Sequence, residues 1–123
     1  MPYLSITTNL KNEDVTNDII KRFTSLVAES FSVPISYMFT EVNCGVRMMH
    51  SNCDVPTMFV DIIKAEMPTN NLPGELSAKF TQFLSGELGI QKERIFCKFT
   101  SIDPNHGAVG GRTIAQMQAE TTE

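Results

Sequence analysis

The chain has 123 residues, 41% of them hydrophobic and 20% charged, with a formal net charge of -4, a length that suits one domain and leaves no room for a second. Its Lys and Arg residues are scattered rather than clustered, so neither nucleic acid nor an anionic membrane surface is an expected partner. No apolar run approaches the roughly 18 residues of a membrane span, and Met1-Pro2-Tyr3 does not open a charged-then-apolar leader, so a cytoplasmic protein is expected.

From Pro2 to Thr8 apolar and polar residues alternate, with Leu4 and Ile6 on one face and Tyr3, Ser5 and Thr7 on the other, which predicts a first strand. Asn12-Glu13-Asp14 and Thr16-Asn17-Asp18 offer capping oxygens and first-turn carboxylates. Val15, Ile19, Phe23, Leu26, Val27 and Phe31 follow as a helical stripe, which should stop before Pro34. Tyr37 to Val42 is rich in strand-forming residues, and Asn43-Cys44-Gly45 reverses the chain; a short strand is expected at Val46 to His50. Thr57 to Ile63 is almost continuously apolar and predicts a central strand covered on both faces. Pro68 to Gly74 reads as loop. Leu76, Phe80, Phe83, Leu84 and Leu88 then form a second helical stripe, ended by Gly89. Arg94 to Thr100 alternates as a further strand, and Asp103-Pro104-Asn105-His106-Gly107 with Gly110-Gly111 begins an irregular tail. The polar segment 116–123 reads as a frayed terminus.

The order strand, helix, strand thus occurs twice. A shift of 57 residues superposes Phe31 on Leu88, Val33 on Ile90, Tyr37 on Arg94 and Phe39 on Phe96. The predicted class is α+β: a two-layer α/β arrangement of two pseudo-repeated βαβ units, with a four-stranded mixed sheet and both helices on one face. The other sheet face carries apolar positions and no cover, which suggests subunits meeting sheet to sheet.

Several residue groups resemble the macrophage migration inhibitory factor and D-dopachrome tautomerase family. They are Met1-Pro2, Thr8-Asn9-Leu10, Leu26-Val27-Ala28-Glu29-Ser30 with Pro34, Gly45-x-Arg47-x-x-His50, Pro56, and Thr81-Gln82-Phe83. The last three groups are especially similar to the nematode branch near D-dopachrome tautomerase. The likeness runs from Met1 to about Ala115, which sets a single tautomerase-like domain at 1–115 and a polar C-terminal tail at 116–123. It implies a homotrimer whose sheets form a barrel, with a tautomerase pocket at each subunit boundary and no cofactor. It also implies a small aromatic keto or enol carboxylate as substrate, and leaves a protein receptor, and release from cells without a signal peptide, open.

On position alone, Pro2 is a proline tolerated at a strand start; the resemblance makes it the catalytic base. Removal of Met1 would expose a secondary amine, and an α-amino group titrates near 7.7–8.0 before burial or nearby cations lower it. The neutral nitrogen could then take a proton from carbon beside a carbonyl and return it elsewhere. Five further positions correspond to the family's substrate-binding residues. Val33 stands where the family has a carboxylate-binding lysine. Ala65, within Lys64-Ala65-Glu66, replaces a bulkier wall residue, and Phe96 replaces a tyrosine. Lys98 replaces an asparagine or arginine, and Val109 falls at the aromatic position of the tail. Lys98 could bind a carboxylate, or be a solvated edge lysine. Lys64 should point away from the side of Ala65. The retained Pro2 and Lys98 favour an enzyme. Val33, Ala65 and Val109 favour a cytokine-like or regulatory binding trimer whose pocket has drifted.

Cys44, Cys53 and Cys97 are odd in number and lack metal-ligand or Cys-x-x-Cys spacing, so reduced thiols are expected and neither a metal site nor thiol oxidoreductase chemistry. His50 and His106 read as surface histidines, and no nucleophilic triad is supported.

Overall fold

The computed structural model describes residues 2–121. Met1, whose removal the sequence reading requires, lies outside them, as do the last two residues of the polar tail. The first half comprises β1 (Tyr3–Thr8), α1 (Asn17–Ser30) and β2 (Phe39–Asn43). The second comprises β3 (Met58–Ala65), α2 (Leu72–Leu88) and β4 (Ile95–Ile102). β5 (Ala108–Val109), β6 (Arg112–Thr113) and α3 (Ile114–Thr121) complete the chain. The sheet order is β2-β1-β3-β4. β1 runs parallel to β2, and β3 runs parallel to β4, whereas β1 and β3 meet antiparallel, with Tyr3 opposite Ile63. Two βαβ units therefore join edge to edge, and the repeat extends to the short 3-10 turns Ile35–Tyr37 and Lys92–Arg94 before β2 and β4.

The core lies between the helices and one sheet face. Leu4 and Ile6 of β1 and Met58, Val60 and Ile62 of β3 are buried there against Phe23 and Val27 of α1 and Leu76, Phe80 and Leu84 of α2. Phe23 and Phe80 meet edge to face with centroids 5.7 Å apart, a favoured geometry for aromatic pairs. Thr16 caps α1 by accepting a hydrogen bond from the Ile19 N–H. Gly89, at φ 69°, closes α2 in the left-handed conformation that a residue with a Cβ resists.

Four expectations change. α2 begins at Leu72 rather than after Gly74, because Pro73 occupies the first turn, where its missing N–H costs nothing. Residues 46–50 form no strand: the carbonyls of His50 and Cys53 are taken by Arg94, and His50 and Cys53 close a two-residue turn with Ser51 and Asn52 at positive φ. β3 is central but covered on one face only, leaving Phe59 half exposed on the other. The tail is not irregular. Residues 108–113 make a small hairpin, and α3 takes in most of the segment read as frayed.

Candidate functional site

Pro2 immediately precedes β1 and is buried; its carbonyl accepts the Phe39 N–H at 3.4 Å, which fixes it at the end of the β1–β2 pair. Strand alternation sends Tyr3 and Phe39 to the uncovered sheet face, and both flank a cleft of about 460 Å³ with Pro2 on its wall. Ile102 at the end of β4, Gly107 to Gly110, and Ile114 at the start of α3 complete the lining. A turn brings this last group back. Asp103 accepts a hydrogen bond from the Asn105 N–H, His106 donates to the Asp103 carbonyl, and Ile114 donates to the Gly107 carbonyl at 2.9 Å. A Cβ on Gly107 would lie 3.0 Å from both Ile102 Cδ1 and Ile114 Cδ1, so the absence of a side chain there lets the two isoleucines converge.

The cleft wall is apolar apart from the Tyr3 phenol. That hydroxyl donates to Glu41 Oε1 at 2.9 Å, and Ser5 Oγ donates to the same oxygen at 3.0 Å. Bonding to the Glu41 carboxylate holds the Tyr3 phenol above its ordinary value, and the bonds from Tyr3 and Ser5 hold Glu41 below the ordinary carboxylate range.

Of the six positions singled out from the sequence, the structure brings Pro2 and Val109 into this cleft. Phe96 and Lys98 lie elsewhere on the uncovered face, in a hollow of about 390 Å³ with Ser5, Thr7, Phe59 and Asp61. Ala65 is buried beside its register partner Ile102, one residue behind the cleft wall. Val33 is half-buried in the connection after α1, its N–H donating to the Ala28 carbonyl. Lys64 turns to the helix layer, with its ammonium 5.8 Å from the Phe31 ring centroid. Cys97 is half-buried, and burial pushes its thiol up, away from the reactive thiolate. Among the described residues no cluster of three or more His, Cys, Asp or Glu could hold a metal, and no helix is long and apolar enough to cross a membrane.

The sequence reading missed Tyr3, Phe39, Ile102, Gly107 and Ile114 as lining residues. Phe39 was within reach of strand alternation. Thr113-Ile114-Ala115-Gln116 carries the Ser/Thr-x-x-Glu/Gln signature of a helix start, which would have placed Ile114.

A family model described as macrophage migration inhibitory factor matches residues 1–115. The MIF-like protein mif-2 of Caenorhabditis elegans is 30% identical over 118 residues, covering 94% of this chain and 97% of its own. D-dopachrome decarboxylase-B of Xenopus laevis is 29% identical over 105 residues, covering 85% and 89%. In solved structures the fold is similar to that of macrophage migration inhibitory factor from Trichinella spiralis, with TM-score 0.85 at 24% identity, covering 90% of this chain and 98% of that one. A homologue from Prochlorococcus marinus gives TM-score 0.84 at 23% identity, covering 91% and 98%. With the family model spanning nearly the whole domain and the paired βαβ sheet in place, this chain belongs to the macrophage migration inhibitory factor family.

Proposed function

We propose that the chain is a cofactor-independent keto–enol tautomerase acting on phenylpyruvate- or dopachrome-like compounds, with Pro2 as general base. The observation that carries this reading is a buried Pro2 on the wall of an apolar cleft sized for an aromatic ring. Once Met1 is removed, the Pro2 nitrogen is a secondary amine whose charged form such surroundings disfavour. The neutral amine takes a proton from the carbon beside the substrate carbonyl as the carbonyl π pair moves to oxygen, and the protonated amine returns a proton to that oxygen, directly or through water. The reverse sequence regenerates the ketone, so atoms and electrons balance without a cofactor. The Xenopus relative's name, D-dopachrome decarboxylase, supports an aromatic carbonyl substrate.

Lys98 and Phe96 lie outside the cleft of their own chain, so any part they play in substrate binding comes from a neighbouring copy. The uncovered sheet face, with Phe39, Phe59 and Phe96 each about half exposed or more, supports a homotrimer in which they do so. The test is enol-to-keto conversion of phenylpyruvate and D-dopachrome by protein whose intact mass shows Met1 removed, beside a Pro2→Gly variant. Turnover lost in the variant supports Pro2 as base; turnover retained removes it from the mechanism. No turnover in either protein favours the regulatory binding trimer, a reading to which the apolar Val33 already points.

A further inference from the structure

The family match ends at residue 115, yet the chain continues as a helix from Ile114 to Thr121. An eight-residue helix is marginal on its own, and this one buries little beyond its first residue: Ile114 is 6% exposed, whereas Gln116 and Glu120 face solvent. What holds it is a reciprocal cap. The Thr113 N–H donates to Gln116 Oε1 at 2.8 Å, and the Gln116 N–H donates to Thr113 Oγ1 at 3.1 Å. The Ala115 N–H donates to the Pro104 carbonyl at 3.0 Å, and Arg112 pairs with Glu120 across the helix. These bonds converge on Ile114, which is already fixed against Ile102 over Gly107 and lines the Pro2 cleft.

We propose that α3 is a specificity element of the cleft, with Gln116 as the positioning residue that holds Ile114 as the wall for the ring of an aryl carbonyl compound. This rests on the tautomerase reading for its substrate class, but the positioning can be tested apart from turnover. When the cap opens, the first turn of α3 loosens and Ile114 leaves the cleft wall it shares with Pro2. The reacting end of the cleft, at the start of β1, is untouched. Loss of the cap should therefore weaken binding and spare the chemical step.

Three full-length variants separate the roles: Gln116→Ala removes the cap, Gln116→Glu keeps an acceptor for the Thr113 N–H, and Met117→Pro breaks the helix after its first turn. With phenylpyruvate, Gln116→Ala and Met117→Pro should raise KM about fivefold, the worth of one cap, while kcat stays within about twofold and Gln116→Glu behaves as the parent. In parallel, methyl NMR of Ile102 and Ile114 during titration with acetophenone, an uncharged aryl ketone, gives a Kd that should rise in the same order. Unchanged KM and Kd in Met117→Pro, or no methyl response to acetophenone in the parent, would overturn the proposal. A parent that lacks turnover but shows the ordered change in Kd would sink the tautomerase reading and leave the positioning role standing.

Discussion

Arg94 is 7% exposed and its guanidinium reaches five acceptors: the carbonyls of His50, Cys53, Val55 and Pro56, and Thr57 Oγ1, at 2.7–3.1 Å. Asn9 holds the same loop from the other side, accepting from the Thr57 N–H and donating to the carbonyls of Asp54 and Val55. Two residues therefore organise a connection that has no ladder of its own. Replacing Arg94 with Met should lower the free energy of unfolding by about 2–4 kcal/mol, because four backbone carbonyls and the buried Thr57 hydroxyl lose their shared charged donor together. Arg94→Lys should recover little of it, since an ammonium cannot span the fork of acceptors; urea unfolding of both variants checks this. A second prediction concerns the cleft. The Tyr3 phenol, raised by its bond to Glu41, contributes stability that is fully present below the ordinary phenol value and lost as pH rises through its raised folded value. Glu41, lowered by Tyr3 and Ser5, contributes stability present above the ordinary carboxylate value and lost as pH falls through its depressed one. Phenolate absorbance, taken as a difference from Tyr3→Phe, should show Tyr3 ionising later than a free phenol. Glu41→Gln should bring it back, and a titration unmoved by that change would deny the bond in solution.

At the scale of elements, α1 and α2 were legible because Phe23 and Val27, and Leu76, Phe80 and Leu84, recur at helical spacing and meet the same sheet face. Gly89 was legible for a local reason, the left-handed conformation at a helix end. Apart from its chain neighbours, no heavy atom lies within 4 Å of a Cβ built there, so Gly89→Ala should cost only its backbone strain, about 1 kcal/mol, with Gly89→Asn costing less. Thermal unfolding of the pair decides it, and equal losses in both would point to packing instead. The illegible parts have a different physics. The connection through residues 50–57 depends on Arg94, some forty positions away along the sequence, and no local pattern encodes that. The start of α2 was hidden because Pro73 and Gly74 are loop residues everywhere except in a helix's first turn. Around the cleft, the family likeness led to Pro2 and Val109, but Ile102, Gly107 and Ile114 come together only through the turn at 103–107.

For the whole molecule, the asymmetry of the sheet is decisive. One face is closed by α1 and α2, whereas the other presents Phe39 at 49%, Phe59 at 50% and Phe96 at 63% exposure, with Phe59 and Phe96 edge to face at 6.2 Å. The Phe59–Phe96 pair, exposed on a sheet face with no helix over it, supports the subunit interface of the proposed homotrimer. Lys98 and Asp61, register partners on the same face, would fix the orientation of a partner rather than supply most of its affinity. In the homotrimer proposed above, the chain should sediment at about three times its 13.7 kDa. Phe59→Glu should dissociate it while leaving its helical circular dichroism intact, because Phe59 takes no part in the core beneath the helices. If a neighbouring copy's Phe96 and Lys98 complete the Pro2 cleft, Phe59→Glu should lose turnover together with assembly, whereas Lys98→Ala should lose turnover and remain assembled. A parent chain that sediments as a monomer at micromolar concentration and still turns over substrate would mean that the cleft bounded by Pro2, Val109 and Ile114 is complete within one subunit.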